Sequence, residues 1–119
     1  MSLGHEHLDA YTVARQLAVD LYRISQDFPA EEKFGLTSQI RRAAVSIPAN
    51  VAEGAARKSK KEFARFLAIA RGSSAELRVL LEIADQIGFL TKERSELLFP
   101  RLDRISAMLS GLIRQADDR

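Results

Sequence analysis

The chain has 119 residues, no cysteine and a formal net charge of +2. That length gives one domain with room for a proper core. The missing cysteines exclude disulfides, thiolate metal sites and a thiol nucleophile. No apolar run reaches the ~18 residues that a membrane span requires. The polar Met1–His7 stretch has no secretory h-region, so a cytoplasmic protein is expected.

After a tail over residues 1–7, expected to be disordered, four helical stretches follow in order. From about Leu8 to Gln26, the residues Ala10, Val13, Leu17, Leu21 and Ile24 recur at steps of three and four, which is one face of a helix. Phe28-Pro29 stops it, because the residue before a proline is pushed out of the helical region. A second helix is predicted from Thr37 to Arg57, with Leu36, Ile40, Ala43, Ile47, Val51 and Gly54 on one side. Pro48 lies in its middle. It lacks a backbone donor and crowds the carbonyl of Ala44, so a kink or a pair of half-helices is expected there.

Ser59-Lys60-Lys61-Glu62 has the spacing of a capping box and opens the third helix. Its apolar face holds Phe63, Phe66, Leu67, Ala70, Leu77, Leu80, Leu81, Ala84 and Ile87, and Gly88 suits the left-handed residue that ends a helix. The fourth begins at an N-cap near Thr91, and Leu98, Leu102, Ile105, Leu109, Leu112 and Ala116 form a heptad-like stripe. Pro100, early in that helix, is expected to bend or delay it. Long helices joined by short loops pack side by side. The predicted fold is therefore an all-α, antiparallel up-down-up-down four-helix bundle, one domain over residues 1–119.

Catalysis finds little to work with. The only histidines, His5 and His7, are two positions apart in the tail and would face different ways. No HExxH, phosphate-binding loop or inward Glu set of a di-iron bundle is present, so neither metal nor cofactor is expected. A non-enzymatic protein is the expectation.

Three features point to interactions instead. The first is a polar stripe beside the apolar face of the second helix: Gln39, Arg42, Ser46, Asn50, Glu53 and Arg57 fall within about 60° on a helical wheel. Half-buried polar groups must be paired. Arg42, Asn50 and Glu53 are thus expected to bond to one another or to Ser73, Ser74 and Glu76 of the third helix. The network either fixes helix register or lines a small pocket for a ligand.

The second feature is charge. Between Lys33 and Arg78, ten Lys/Arg stand against three acids, a local balance of +7, while the rest of the chain carries −5. Arg41, Arg57, Lys58, Lys60, Lys61 and Arg65 are the candidate contacts to RNA or DNA. Aromatic residues for base stacking are scarce, so contact would be to backbone and shape. A plain solvated helix face is the competing explanation. The third feature is a strip of small residues opposite the core stripe of the third helix, Ala68, Gly72, Ala75 and Val79. Such a strip permits close helix approach and marks a candidate interface between copies, with a crowded contact inside the bundle as the alternative.

The segments Phe28-Pro29, Phe34-Gly35-Leu36-Thr37, Gln39-Ile40-Arg41-Arg42-Ala43-Ala44 and Ser46-Ile47-Pro48-Ala49-Asn50-Val51-Ala52-Glu53-Gly54 resemble the S23-type, or 23S rRNA intervening-sequence, protein family. The likeness continues through Phe63, Phe66-Leu67, Ile69-Ala70-Arg71-Gly72-Ser73 and Glu76-Leu77. It departs only in having valine at Val51 where isoleucine is usual. The resemblance implies antiparallel four-helix bundles, some of them ring-shaped homopentamers. It implies a distant similarity to accessory proteins of diversity-generating retroelements, pentamers that bind nucleic acid and a reverse transcriptase. It carries over no catalytic residue. The sequence thus predicts a homo-oligomer that binds RNA or DNA, with a protein–protein scaffold free of any nucleic-acid role as the alternative.

Overall fold

The structure, a computed structural model, describes residues 6–117. Four helices account for most of them: α1 Glu6–Ile24, α2 Leu36–Ala56, α3 Lys60–Gln86 and α4 Lys92–Asp117. Two short 3-10 turns, Ser25–Asp27 and Ala30–Glu32, bridge α1 to α2, and there is no strand among the described residues. Glu6 and His7, expected in the tail, are the opening residues of α1. Met1 to His5 lie outside the described residues.

Local chemistry explains most of the helix ends. Phe28 is extended ahead of Pro29 and closes the first 3-10 turn. The amide of Leu36 at the head of α2 donates to Glu32 Oε1 at 3.0 Å. Ser59 caps α3 by accepting from the Glu62 amide at 3.3 Å. At the other end of α3, Gly88 takes a φ of +86°, and Phe89 N–H reaches back to the Ala84 carbonyl at 2.9 Å. That pair of features is the Schellman arrangement, which only glycine adopts at low cost. Thr91 Oγ1 accepts from the Arg94 amide at 3.2 Å, so α4 starts beside its predicted cap. Neither internal proline interrupts its helix: Pro48 lies inside one continuous α2, and Pro100 does not delay α4.

Each helix packs on two neighbours, α1 on α2 and α4, and α3 on the same two. Side-chain pairs set the register. Arg71 reaches Ser110, Ser74 reaches Ser106 and Arg78 reaches Asp103, so α3 and α4 run in opposite directions. Leu17, Leu21, Ile47, Leu67, Leu77, Leu81, Leu102 and Leu109 are among the side chains sealed at the centre. At Gly54, α2 approaches α3 so closely that a Cβ would lie 2.8 Å from Phe66 Cβ. Three expected core residues differ. Leu36, at the head of α2, is only partly buried. Val13 is only partly buried while Ala14 fills the interior, and Ile87 is 54% exposed because α3 stops at Gln86 and the helical phase is lost.

Candidate nucleic-acid interface and assembly face

The α2–α3 connection is short and almost entirely basic. Arg57 ends α2, Lys58 adopts a left-handed φ of 57°, Ser59 caps α3, and Lys60 and Lys61 fill its first turn. Lys58, Lys60 and Lys61 are exposed. Two further cations are held in place. Arg57 pairs with Glu53 at 2.9 Å, Arg65 pairs with Glu62 at 2.9 Å, and both guanidinium groups lie over the Phe66 ring, at 5.2 and 4.5 Å from its centroid. The Arg65 hydrogen bond lowers the Glu62 pKa against the opposing effect of desolvation, and the charges of Arg65, Arg57 and Lys61 lower it further. The turn is therefore a region of positive potential in which three lysines, without an ion-pair partner among the described residues, can meet an anion.

Arg41 does not join this cluster. It lies sixteen positions before Arg57 on α2, about 24 Å away along the helix. There it stacks on Tyr22 at 4.7 Å and donates to Ser25 Oγ at 2.8 Å and the Tyr22 carbonyl at 3.1 Å. The structure thus divides the six candidate cations into five at one turn and one elsewhere.

The polar stripe of α2 is resolved differently from the expectation. Ser46 Oγ and Ser73 Oγ bond across the α2–α3 seam at 2.8 Å. Asn50 Nδ2 donates to the Ser46 carbonyl at 2.8 Å and its Oγ at 3.0 Å. This is a satisfied, half-buried trio. Arg42 and Glu53 are not part of it. Both are exposed, and Glu53 turns along its own helix to Arg57. Their side chains are long enough to reach water, whereas serine and asparagine must find partners where they stand. Ser74 faces α4 instead, bonded to Ser106 Oγ at 2.5 Å. Above the trio lies an open polar groove of about 460 Å³ lined by Gln39, Arg42, Ala43, Ser46, Ser73 and Glu76.

The small-residue strip is on the surface. Ala68, Gly72, Ala75 and Val79 are all exposed, Val79 at 53%, and a Cβ at Gly72 would meet nothing within 4 Å. Ile83, 45% exposed, extends the strip by one more turn. The sequence reading did not include it, although the same i+4 step leads to it. His7 rests edge-on against Phe63 with centroids 6.1 Å apart, and His5 lies outside the described residues. Among the described residues, no three His, Cys, Asp or Glu side chains converge as metal ligands would, and no helix is long and apolar enough to cross a membrane.

Comparison with known proteins gives two positive findings. The model of a family described as 23S rRNA-intervening sequence protein matches residues 6–111. A solved structure of a protein of unknown function from the S23 ribosomal protein family of Bacteroides thetaiotaomicron is similar, with a TM-score of 0.83 at 23% identity. The alignment covers 92% of this chain and 98% of that one, and at this identity it speaks for the fold alone. No match was found among curated proteins.

Proposed function

The chain belongs to the 23S rRNA-intervening sequence protein family, and from that premise we propose that it is a non-catalytic module that assembles with copies of itself and holds RNA or DNA by the phosphate backbone. Assembly uses the outer face of α3. Five copies in a ring is the number that the family resemblance implies. Lys58, Lys60 and Lys61, with Arg57 and Arg65 behind them, supply the phosphate contacts.

The observation that carries this reading is the placement of the basic turn at the head of the same helix whose outer face is apolar. Three free lysines on one subunit make a weak polyanion site. Packing several copies through α3 repeats that cluster at fixed spacing. Repetition turns each weak contact into an intramolecular one for the next, which raises avidity without new chemistry.

The test combines light scattering with binding to structured RNA and duplex DNA at about 50 and 200 mM salt. We expect an oligomer whose binding weakens steeply with salt and is lost when Lys58, Lys60 and Lys61 become Glu. An intact oligomer that ignores both polymers at low salt would replace this reading with a protein–protein scaffold.

A further inference from the structure

A second surface, on the α1–α2 side of the bundle, is separate from both the basic turn and the α3 strip. Ala18, Val19 and Tyr22 of α1 face Val45 and Pro48 of α2 across an open groove of about 350 Å³. The lining is almost wholly apolar. Val19, Tyr22 and Val45 are 38%, 44% and 43% exposed, and nothing in the bundle covers them. Arg41 clamps one wall by stacking on Tyr22 and bonding to its carbonyl.

The rim of this groove is basic. Arg15 and Arg23 both border it, and among the described residues neither has an ion-pair partner; Arg15 lies over Tyr11 at 5.2 Å. The carboxylates of the two flanking helices are engaged elsewhere or distant. Asp20 binds Arg101 of α4 at 2.9 Å, Glu53 binds Arg57, and Glu6 and Asp9 sit in the first turn of α1. An apolar floor with an uncompensated arginine at each end is complementary to one kind of occupant: apolar side chains flanked by acids.

We propose that this groove docks an acidic amphipathic helix of a partner protein. Arg15 and Arg23 are eight residues apart on α1, a rise of about 12 Å. Carboxylates two turns apart on the incoming helix, at i and about i+7 or i+8, match that spacing. Its apolar side chains, one turn apart between those acids, enter over Val19, Val45 and Pro48. A phosphate backbone would gain the two arginines but nothing from the apolar floor, so the groove fits a peptide better than a nucleic acid.

The probe is a labelled helical peptide of about 16 residues with leucines on one face and two Glu two turns apart, titrated into the full chain by fluorescence anisotropy. Saturable binding is expected. It should fall at least about tenfold when the two Glu become Gln, and by a similar factor in Val45→Glu or in the Arg15→Glu, Arg23→Glu double variant. A peptide with Lys in place of Glu should recover binding to that double variant. Equal binding of the Gln peptide, or no binding by the unaltered chain, overturns the proposal without any variant having to fold. So does a fall in oligomer mass in Val45→Glu, which would make the occupant a second copy. Loss of RNA or DNA binding in the double variant, with peptide binding unchanged, overturns it as well. Failure of the α3 assembly or of the lysine turn leaves the peptide titrations as they stand.

Discussion

The two faces of α3 have much the same residue classes and very different surroundings. The inner face, with Phe63, Leu67, Ala70, Leu77, Leu81 and Ala84, is sealed against α2 and α4. The outer face, with Ala68, Gly72, Ala75, Val79 and Ile83, is exposed. A surface helix of a monomer normally turns charge to that side. Within the bundle α2 and α4 cover only the inner face, so in the proposed assembly the outer face is the one that meets another copy. The contrast also separates what holds the fold together from what is left over for other molecules.

The contrast is sharpest where the inner face is cut. Leu77→Ala removes a fully buried side chain from the centre and should lower stability by about 2–5 kcal/mol, the transfer loss plus the cavity. Urea unfolding measures it as a fall in midpoint at unchanged slope. Gly54→Ala acts on the same seam from the other side. The added methyl would meet Phe66 Cβ at 2.8 Å and Phe63 Cδ1 at 3.0 Å. Phe66 Cβ is fixed to its backbone, so α2 and α3 must part slightly, at a cost of about 1–3 kcal/mol. Thermal melts that leave Gly54→Ala as stable as the parent would mean that the seam is looser than the structure has it.

Local chemistry made much of this fold legible before the structure. Ser59, Gly88 and Thr91 each act on backbone groups within a few residues, so their caps follow from sequence alone. The apolar stripes of α2, α3 and α4 likewise place Ile47, Leu77 and Leu102 inside. Partner choice was not legible in the same way. The helical wheel puts Arg42, Ser46, Asn50 and Glu53 on one side of α2, but side-chain length decides which of them turn inward, and Ser46 and Asn50 do. Ile87 was lost to a helix end one residue early. The α1–α2 groove was missed because Arg15, Val19, Tyr22 and Arg23 fall off the core stripe, where a single amphipathic pattern gives no reason to look. Their i, i+4, i+7, i+8 spacing was the available signal.

The outer face gives smaller effects on the fold, and their sign is informative. Gly72→Ala should stabilise an isolated subunit by about 0.5–1 kcal/mol, since alanine is the better helix former and the site is open. In an assembled oligomer whose neighbour approaches α3 closely at Gly72, the same methyl has to displace that neighbour. The gain then shrinks or reverses. Comparing urea midpoints of Gly72→Ala above and below the dissociation concentration of the oligomer reads this directly. An identical gain at both concentrations would place any interface away from Gly72.

Val79→Asp has the smallest expected effect on the fold and the largest on assembly. Val79 is 53% exposed, so the substitution should change subunit stability by no more than about 0.5 kcal/mol. Between two copies, the same carboxylate would be taken out of water beside Ala75 and Ile83 with no cation of the strip to pair with, a cost no interface of small residues offsets. Light scattering should therefore fall to the mass of one chain while the melt of the bundle stays where it was. With the subunit monomeric, Gly72→Ala in the Val79→Asp background should recover its full stabilising effect, and the difference between the two backgrounds is the coupling carried by the strip. An unaltered mass in Val79→Asp would show that the outer face of α3 is ordinary surface, and the repeated lysine clusters would lose the scaffold that gives them avidity.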